Sequence, residues 1–313
     1  MNSVQKTIFL VAGEPSGDIH GARLVSAMKK GQSNILFVGH GGDEMASVGV
    51  TIIEHVNNLS IMGFSEVIQN LHRMFHILNE TVETIKHTMP DRVILIDYPG
   101  FNLRLAKKIR KLDIPITYFI LPQAWAWGEK RVKKMKPLLN QALSIFPFEK
   151  EWFEIRGLPI NYVGHPFANR QPVKKARTTF MNLHNIDPSH PIITLLPGSR
   201  QQEVDQHWPI FLKTLYLLQK KIPSLQAVVG KAPNVVLKPL PDHISVENKA
   251  RLAMAFGTVA ITSSGTATLE CAMEGIPMVV CYKMSFFSWV IIKYLSNVSH
   301  ISMVNLIAGE QIV

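Results

Sequence analysis

Two acids and one arginine stand where a chain could perform group transfer. Asp97 closes an apolar run, residues 92–96, and opens the turn Asp97-Tyr-Pro-Gly-Phe-Asn102. A carboxylate at the end of a parallel strand can take the proton of a hydroxyl, which is a poor nucleophile until it loses that proton. The same residue could instead cap a helix starting near Phe101, and the position alone leaves both roles open. Arg200 follows the apolar run 191–196 and the breakers Pro197, Gly198 and Ser199; from Gln201 a helical pattern continues through Trp208, Phe211, Leu212, Leu215 and Leu218. A strand, a tight glycine turn and a helix N-terminus gather unpaired N–H groups around one spot, which seats an anion. The guanidinium fork of Arg200 matches two phosphate oxygens, so the seat suits a nucleotide diphosphate as ligand and then as leaving group. An ordinary βα turn with a solvated arginine is the alternative. A second such turn, Ser263-Ser264-Gly265-Thr266, leads to Glu270 about two helical turns on, where a carboxylate could accept both hydroxyls of a ribose. Alternatively Thr266 only caps that helix and Glu270 is a surface acid.

Other chemistries find less support. His72 and His76 are four residues apart, but no glutamate follows His72 as a zinc-protease helix requires, so no metal site is expected there. The turn Gly13-Glu-Pro-Ser16-Gly17-Asp18 follows a first apolar run at residues 7–12 without the Gly-x-Gly-x-x-Gly spacing of a dinucleotide fold, and no Gly-x-x-x-x-Gly-Lys-Ser/Thr occurs. Trp125 and Trp127, at the end of the run 116–120, could stack on a sugar, meet an interface or pack in the core.

These residues need a scaffold of alternating strands and helices. Apolar runs of strand length occur at 7–12, 35–38, 51–54, 92–96, 116–120, 142–146 and 161–163, and again at 191–196, 226–229, 243–246, 258–262 and 277–281; helical patterns separate most of them, with one expected at 19–30 and another around 287–295. Between residues 167 and 190 the pattern lapses into polar, basic and proline-containing chain. This places an N-terminal domain at 1–168, a linker at 169–190 and a C-terminal domain at 191–313. The 313 residues suffice for two such α/β cores.

Cys271 and Cys281 are too few for a disulfide framework and suggest reduced thiols in the cytosol. No signal-peptide core opens the sequence, and no apolar run reaches the ~20 residues that span a bilayer, so a soluble or peripheral protein is expected. The net charge is +10, and between Arg104 and Lys136 ten Lys or Arg face only Asp113 and Glu129. Such a field attracts lipid headgroups, phosphorylated substrates or nucleic acid. Residues 61–78 carry an apolar stripe with a basic edge, a pattern of core packing that also suits a membrane surface or acyl chains.

Val11-Ala-Gly-Glu-Pro-Ser-Gly-Asp18, Met62-Gly63, Asp97-Tyr-Pro-Gly-Phe-Asn102, Gln123-Ala-Trp-Ala-Trp127, Phe146-Pro-Phe-Glu149, Gly164-His165, Leu195-Leu-Pro-Gly-Ser-Arg200 with Glu203, Ser264-Gly-Thr266 with Glu270, and Asn305-Leu-Ile-Ala-Gly309 together resemble the lipid-A-disaccharide synthase family. The resemblance spans the chain in order. It implies the α/β GT-B fold, two Rossmann-like domains with parallel sheets facing across a cleft. It also implies an inverting hexosyl transfer from UDP-2,3-diacylglucosamine to 2,3-diacylglucosamine 1-phosphate, giving the β-1,6 disaccharide phosphate and UDP without metal or cofactor. Asp97 would then be the base and Arg200 the stabiliser of the leaving group. Gly198, Ser199, Ser264, Gly265, Thr266, Glu270 and Asn305 would contact the UDP-sugar, and Ser16, Gly17 and Asp18 would border the acceptor. The implied setting is the cytoplasmic face of a Gram-negative inner membrane, held peripherally, with a homodimer allowed and no nucleic-acid partner. Family members continue past the equivalent of Val313, which leaves activity of this stretch alone open. A UDP-sugar 2-epimerase would share Arg200 and Glu270 but needs no acyl-binding surface. A nucleic-acid-binding module would explain the charge but not the strand-end loops.

Overall fold

The computed structural model describes residues 5–32, 34–59, 71–126, 128–168, 173, 177–233, 235–283, 300 and 302–313. The chain divides into two compact units, Met1–Pro166 and Phe167–Val313. Expectations for Met62-Gly63, most of the stripe at 61–78, Trp127 and the helix at 287–295 fall wholly or partly outside the described residues.

In unit 1, β1 (Lys6–Ala12), β2 (Ile35–Gly41), β3 (Thr51–His55), β4 (Arg92–Ile96), β5 (Ile116–Phe119), β6 (Gln141–Ser144) and β7 (Asn161–Tyr162) form one sheet in the order 3-2-1-4-5-6-7. Every pairing is parallel. Among the described residues the helices are α1 (Pro15–Gly31), α2 (Asp43–Ser47), α3 (Val56–Leu59), α4 (Leu71–Thr88), α5 (Pro99–Ile109), α6 (Lys130–Met135) and α7 (Pro147–Ile155). Helices on a parallel sheet bury its strands on both faces, which is why β1 and β4 read as unbroken apolar runs. One core cluster joins Ile8, Leu10 and Ala12 of β1 to Ile94 and Ile96 of β4, under Ala22 and Val25 of α1.

Helix α1 begins four residues before the expected position because Pro15 occupies its first turn, where a missing N–H costs nothing. Helix α4 buries Ile77, Leu78, Val82 and Ile85 and leaves His72, Arg73, Phe75 and His76 exposed. His76 Nε2 lies 3.2 Å from Glu80 Oε1, one turn along the same helix.

Unit 2 repeats the plan with β8 (Ile192–Leu196), β9 (Gln226–Gly230), β10 (Ile244–Glu247), β11 (Val259–Thr262) and β12 (Met278–Val280) in the order 10-9-8-11-12, again all parallel. Helices α8 (Arg177–Leu183), α9 (Gln201–Lys221), α10 (Ala250–Phe256), α11 (Thr266–Glu274) and α12 (Met303–Ala308) accompany it. Trp208, Phe211, Leu212 and Leu215 of α9 pack on Ile193, Leu195 and Val229. Within the stretch expected to be a linker, α8 buries Phe180 and Met181 against Ile192, Val228, Ala253 and Phe256. Two apolar anchors in a polar heptapeptide are too few for periodicity to register, but enough to dock one short helix.

Candidate active site

In each unit the strand order reverses once, between β1 and β4 and between β8 and β11. At such a reversal the loops leaving the two neighbouring strands diverge and open a crevice at their carboxyl ends. Asp97 and Glu14 leave one pair of strands; Arg200 and the Ser264–Thr266 turn leave the other. Parallel strand order therefore gathers residues far apart in sequence at one strand-end crevice in each unit.

In unit 1, Asp97 and Tyr98 both have φ of 48°, the left-handed region, which costs on the order of 1–3 kcal/mol for each non-glycine residue. Several contacts hold them there. Tyr118 Oη donates to Asp97 O at 2.6 Å, and Asn102 Nδ2 donates to the same oxygen at 2.7 Å. The Asn102 amide also reaches Ile96 O at 3.3 Å and Val11 O at 3.4 Å, tying the ends of β4 and β1 together. Tyr98 Oη donates to Leu59 O at 2.8 Å, and its ring covers Gly13, where any Cβ would strike it. Helix α5 starts with Tyr98 as N-cap, whose side chain makes no capping bond, and the Asp97 carboxylate accepts the Tyr98 N–H at that helix start. Burial pushes the Asp97 carboxyl up to about 6, and the neighbouring charge of Glu14 adds to the rise. A carboxylate poised there is a competent proton acceptor near neutrality. Glu14 escaped sequence reasoning because only the β1–β4 adjacency brings it to Asp97.

The Ser16-Gly17-Asp18 turn is the first turn of α1. Ser16 is exposed, and Gly17 is buried with a potential Cβ only 3.2 Å from that of Ala12. Asp18 is buried, and its carboxylate accepts N–H groups from Gly42 at 2.7 Å, Met45 at 3.0 Å and Glu44 at 3.1 Å. Both oxygens serve the start of α2, so here Asp18 fixes the loop after β2. Beyond β6, Glu149 is buried and accepts from Trp125 Nε1 at 3.0 Å and from the N–H groups of Phe146 and Ile145 at 3.2 and 3.3 Å. Burial raises its pKa while those three donors oppose the rise. Trp125 thus belongs to a packed group with Phe146 and Phe148.

In unit 2, Gly198 has φ of 136° and Glu203 folds back beneath it. Glu203 Oε2 accepts the N–H groups of Ser199 at 3.2 Å and Arg200 at 3.4 Å, while Oε1 lies 3.4 Å from Arg200 Nη1. The expected anion seat therefore has those two backbone donors committed to a carboxylate of its own helix. The Arg200 side chain remains 62% exposed and is the group this loop presents to an anion. The loop after β11 differs: Gly265 is the N-cap of α11 with φ of 149° and open space beside it. No side chain caps this nine-residue helix, whose first turn directs N–H groups and a positive dipole end outward. Thr266 is its first helical residue rather than its cap; Thr268 closes the turn instead, donating from Oγ1 to Gly265 O at 2.8 Å. Glu270 is half-buried on α11. Asn305 is buried, and its amide is engaged with chain nearby, accepting from Ile312 N at 2.9 Å and Val313 N at 3.0 Å and donating to Val313 O at 3.0 Å. Among the described residues, no group of three or more His, Cys, Asp or Glu could hold a metal ion.

Two doubly wound parallel units with polar strand-end loops at each reversal define the GT-B fold class. A UDP-GlcNAc 2-epimerase from Neisseria meningitidis is similar over 97% of this chain and 89% of its own, with a TM-score of 0.61 at 11% identity. The calicheamicin glycosyltransferase CalG4 is similar over 88% and 79%, with a TM-score of 0.52 at 14% identity. At such identities the likeness is one of fold alone. A family profile described as lipid-A-disaccharide synthetase matches residues 8–313. The lipid-A-disaccharide synthase of Coxiella burnetii (strain RSA 331 / Henzerling II) is 34% identical over 312 residues, which cover 98% of this chain and 83% of the relative. The chain belongs to the lipid-A-disaccharide synthetase family, and it is a glycosyltransferase of lipid A biosynthesis.

Proposed function

We propose that this chain transfers the sugar of UDP-2,3-diacylglucosamine to the 6-hydroxyl of 2,3-diacylglucosamine 1-phosphate, with inversion at the anomeric carbon. The acceptor hydroxyl gives its proton to the Asp97 carboxylate as its oxygen bonds to C1. The bond from C1 to the diphosphate oxygen breaks, and its electron pair leaves with UDP. Arg200 and the first-turn amides of α11 stabilise the growing negative charge, a function that fixed dipoles and a guanidinium serve without reorganising. Glu270 holds the ribose hydroxyls. Ser16 and Gly17 border the acceptor, while Asp18 shapes that border from below. Gly198 and Ser199 carry Arg200 into position, and Asn305 supports the α11 side through the backbone it binds.

The observation that carries this reading is Asp97, a carboxyl raised to about 6 at the reversal of the unit 1 sheet, in a chain whose family performs the transfer. It is tested by measuring UDP affinity and turnover of Asp97→Asn. Retained UDP affinity with turnover lowered by orders of magnitude supports the role; lost affinity with normal turnover removes it.

The exposed Arg104, Lys107, Lys108, Arg110 and Lys111, with Lys130, Lys133 and Lys134 of α6, form the surface that we assign to anionic headgroups at the cytoplasmic face of the inner membrane. No helix among the described residues is long and apolar enough to cross a membrane. Vesicle co-sedimentation that is unaffected by reversing these charges would remove that assignment.

A further inference from the structure

The loop that carries Arg200 is held from beneath by a histidine that no chemical step uses. His207 lies one turn beyond Glu203 on α9 and is 1% exposed. Its Nδ1 is 2.9 Å from Pro197 O, and its Nε2 accepts the backbone N–H of Lys283 at 2.9 Å. A carbonyl can only accept and a backbone N–H can only donate, so these partners assign the proton to Nδ1 and leave Nε2 bare. The ring packs against Phe211 and Tyr282, with centroids 6.1 and 5.2 Å away.

Both ends of this bridge fall where the sheet can no longer hold the chain. Leu196 O accepts from Ser263 N at 2.9 Å, and one residue further Pro197 has left the ladder. Cys281 N donates to Thr262 O at 2.8 Å, and two residues further Lys283 has left it as well. One imidazole takes over at both exits. Glu203 and His207, four residues apart, lie on one face of α9; the first holds the N–H groups of the turn and the second its entering carbonyl.

We propose that His207 is a positioning residue for diphosphate binding: its neutral ring fixes Pro197, and with it the Gly198-Ser199-Arg200 turn, against the chain beyond β12. The inference rests on reading that turn as part of the UDP seat. Asparagine places an amide donor where Nδ1 stands, and glutamine places an acceptor where Nε2 stands. His207→Asn therefore keeps the link to Pro197, and His207→Gln keeps the link to Lys283.

The test is UDP titration calorimetry on the unmodified chain and on the Asn, Gln and Phe variants, with thermal melts beside it and donor and acceptor KM where turnover is measured. The Asn variant should bind UDP within about threefold of the parent. Gln and Phe should bind about tenfold more weakly, equivalent to losing one hydrogen bond of roughly 1.4 kcal/mol. Donor KM should follow the same order while acceptor KM stays constant, a split that a loss of folded protein would not produce. Asn and Gln variants with the same UDP affinity would overturn the role of His207 and leave the seat standing, even if the Phe variant fails to fold. An unmodified chain that does not bind UDP would overturn the seat itself.

Discussion

Replacing Asp97 with asparagine should slow the reaction and, above pH 6, strengthen the fold. The carboxyl rises from 3.8 to about 6, mainly through burial and further through Glu14. Roughly two pKa units at 1.36 kcal/mol each make the ionised form cost about 3 kcal/mol in the folded chain. Because the folded state binds this proton more tightly than the unfolded state, the associated stability is complete below pH 3.8 and is lost as pH rises through about 6. Asparagine carries no charge and keeps an oxygen for the Tyr98 N–H. Asp97 is only half-buried, so water trims the gain to about 1–2 kcal/mol, a few degrees in the melting of a unit this size. Calorimetric melts of both proteins at pH 4 and pH 8, in matched salt, read this directly. They should coincide at pH 4, with the variant higher at pH 8, while turnover falls by a factor of about 10² to 10⁴. A variant that melts lower at pH 8, or by an offset independent of pH, would refute the placement of a partly desolvated charge at Asp97.

Glu14→Gln removes the neighbouring negative charge and should shift the rising limb of the kcat/KM pH profile to below the position set by a pKa of about 6; an unmoved limb would separate Glu14 from Asp97. Arg200→Ala should weaken UDP binding by about 10- to 100-fold and lower turnover as well, as expected of a charge-assisted contact, and an unaffected variant would remove it from the site. Gly13→Ala forces a methyl into the Tyr98 ring and should cost about 1–3 kcal/mol in urea unfolding, together with much of the activity, because the same ring holds the Asp97 turn; a neutral substitution would show that turn to be loosely held.

Much of the architecture could be read from the chain because parallel strands buried on both faces leave continuous apolar runs. Residues 92–96 and 191–196 coincide with or overlap β4 and β8 almost residue for residue. Asp97, Arg200 and Gly265 stood out because glycine and proline punctuate the strand ends where open sheets bind ligands. What escaped was set by hydrogen-bond partners, some near in sequence and some distant. Asp18 reads in the sequence as part of the acceptor border, yet its carboxylate accepts the N–H groups of Gly42, Glu44 and Met45. Glu203 looked like one member of a motif, yet it occupies amides expected to face the diphosphate, which shifts weight to the Arg200 side chain and the start of α11. The proximity of Glu14 to Asp97 follows from strand order, which no local pattern encodes. Asn305 is occupied by residues 312 and 313, a turn that its own motif does not reveal.

The most direct measurement is UDP release by this chain in detergent with both diacyl sugars present and with each omitted in turn, followed by the anomeric configuration of the disaccharide. Release that requires both substrates and yields only the β linkage is the predicted result. Release without acceptor, an α-linked product, or interconversion of the UDP-sugar alone would contradict an inverting transfer through Asp97.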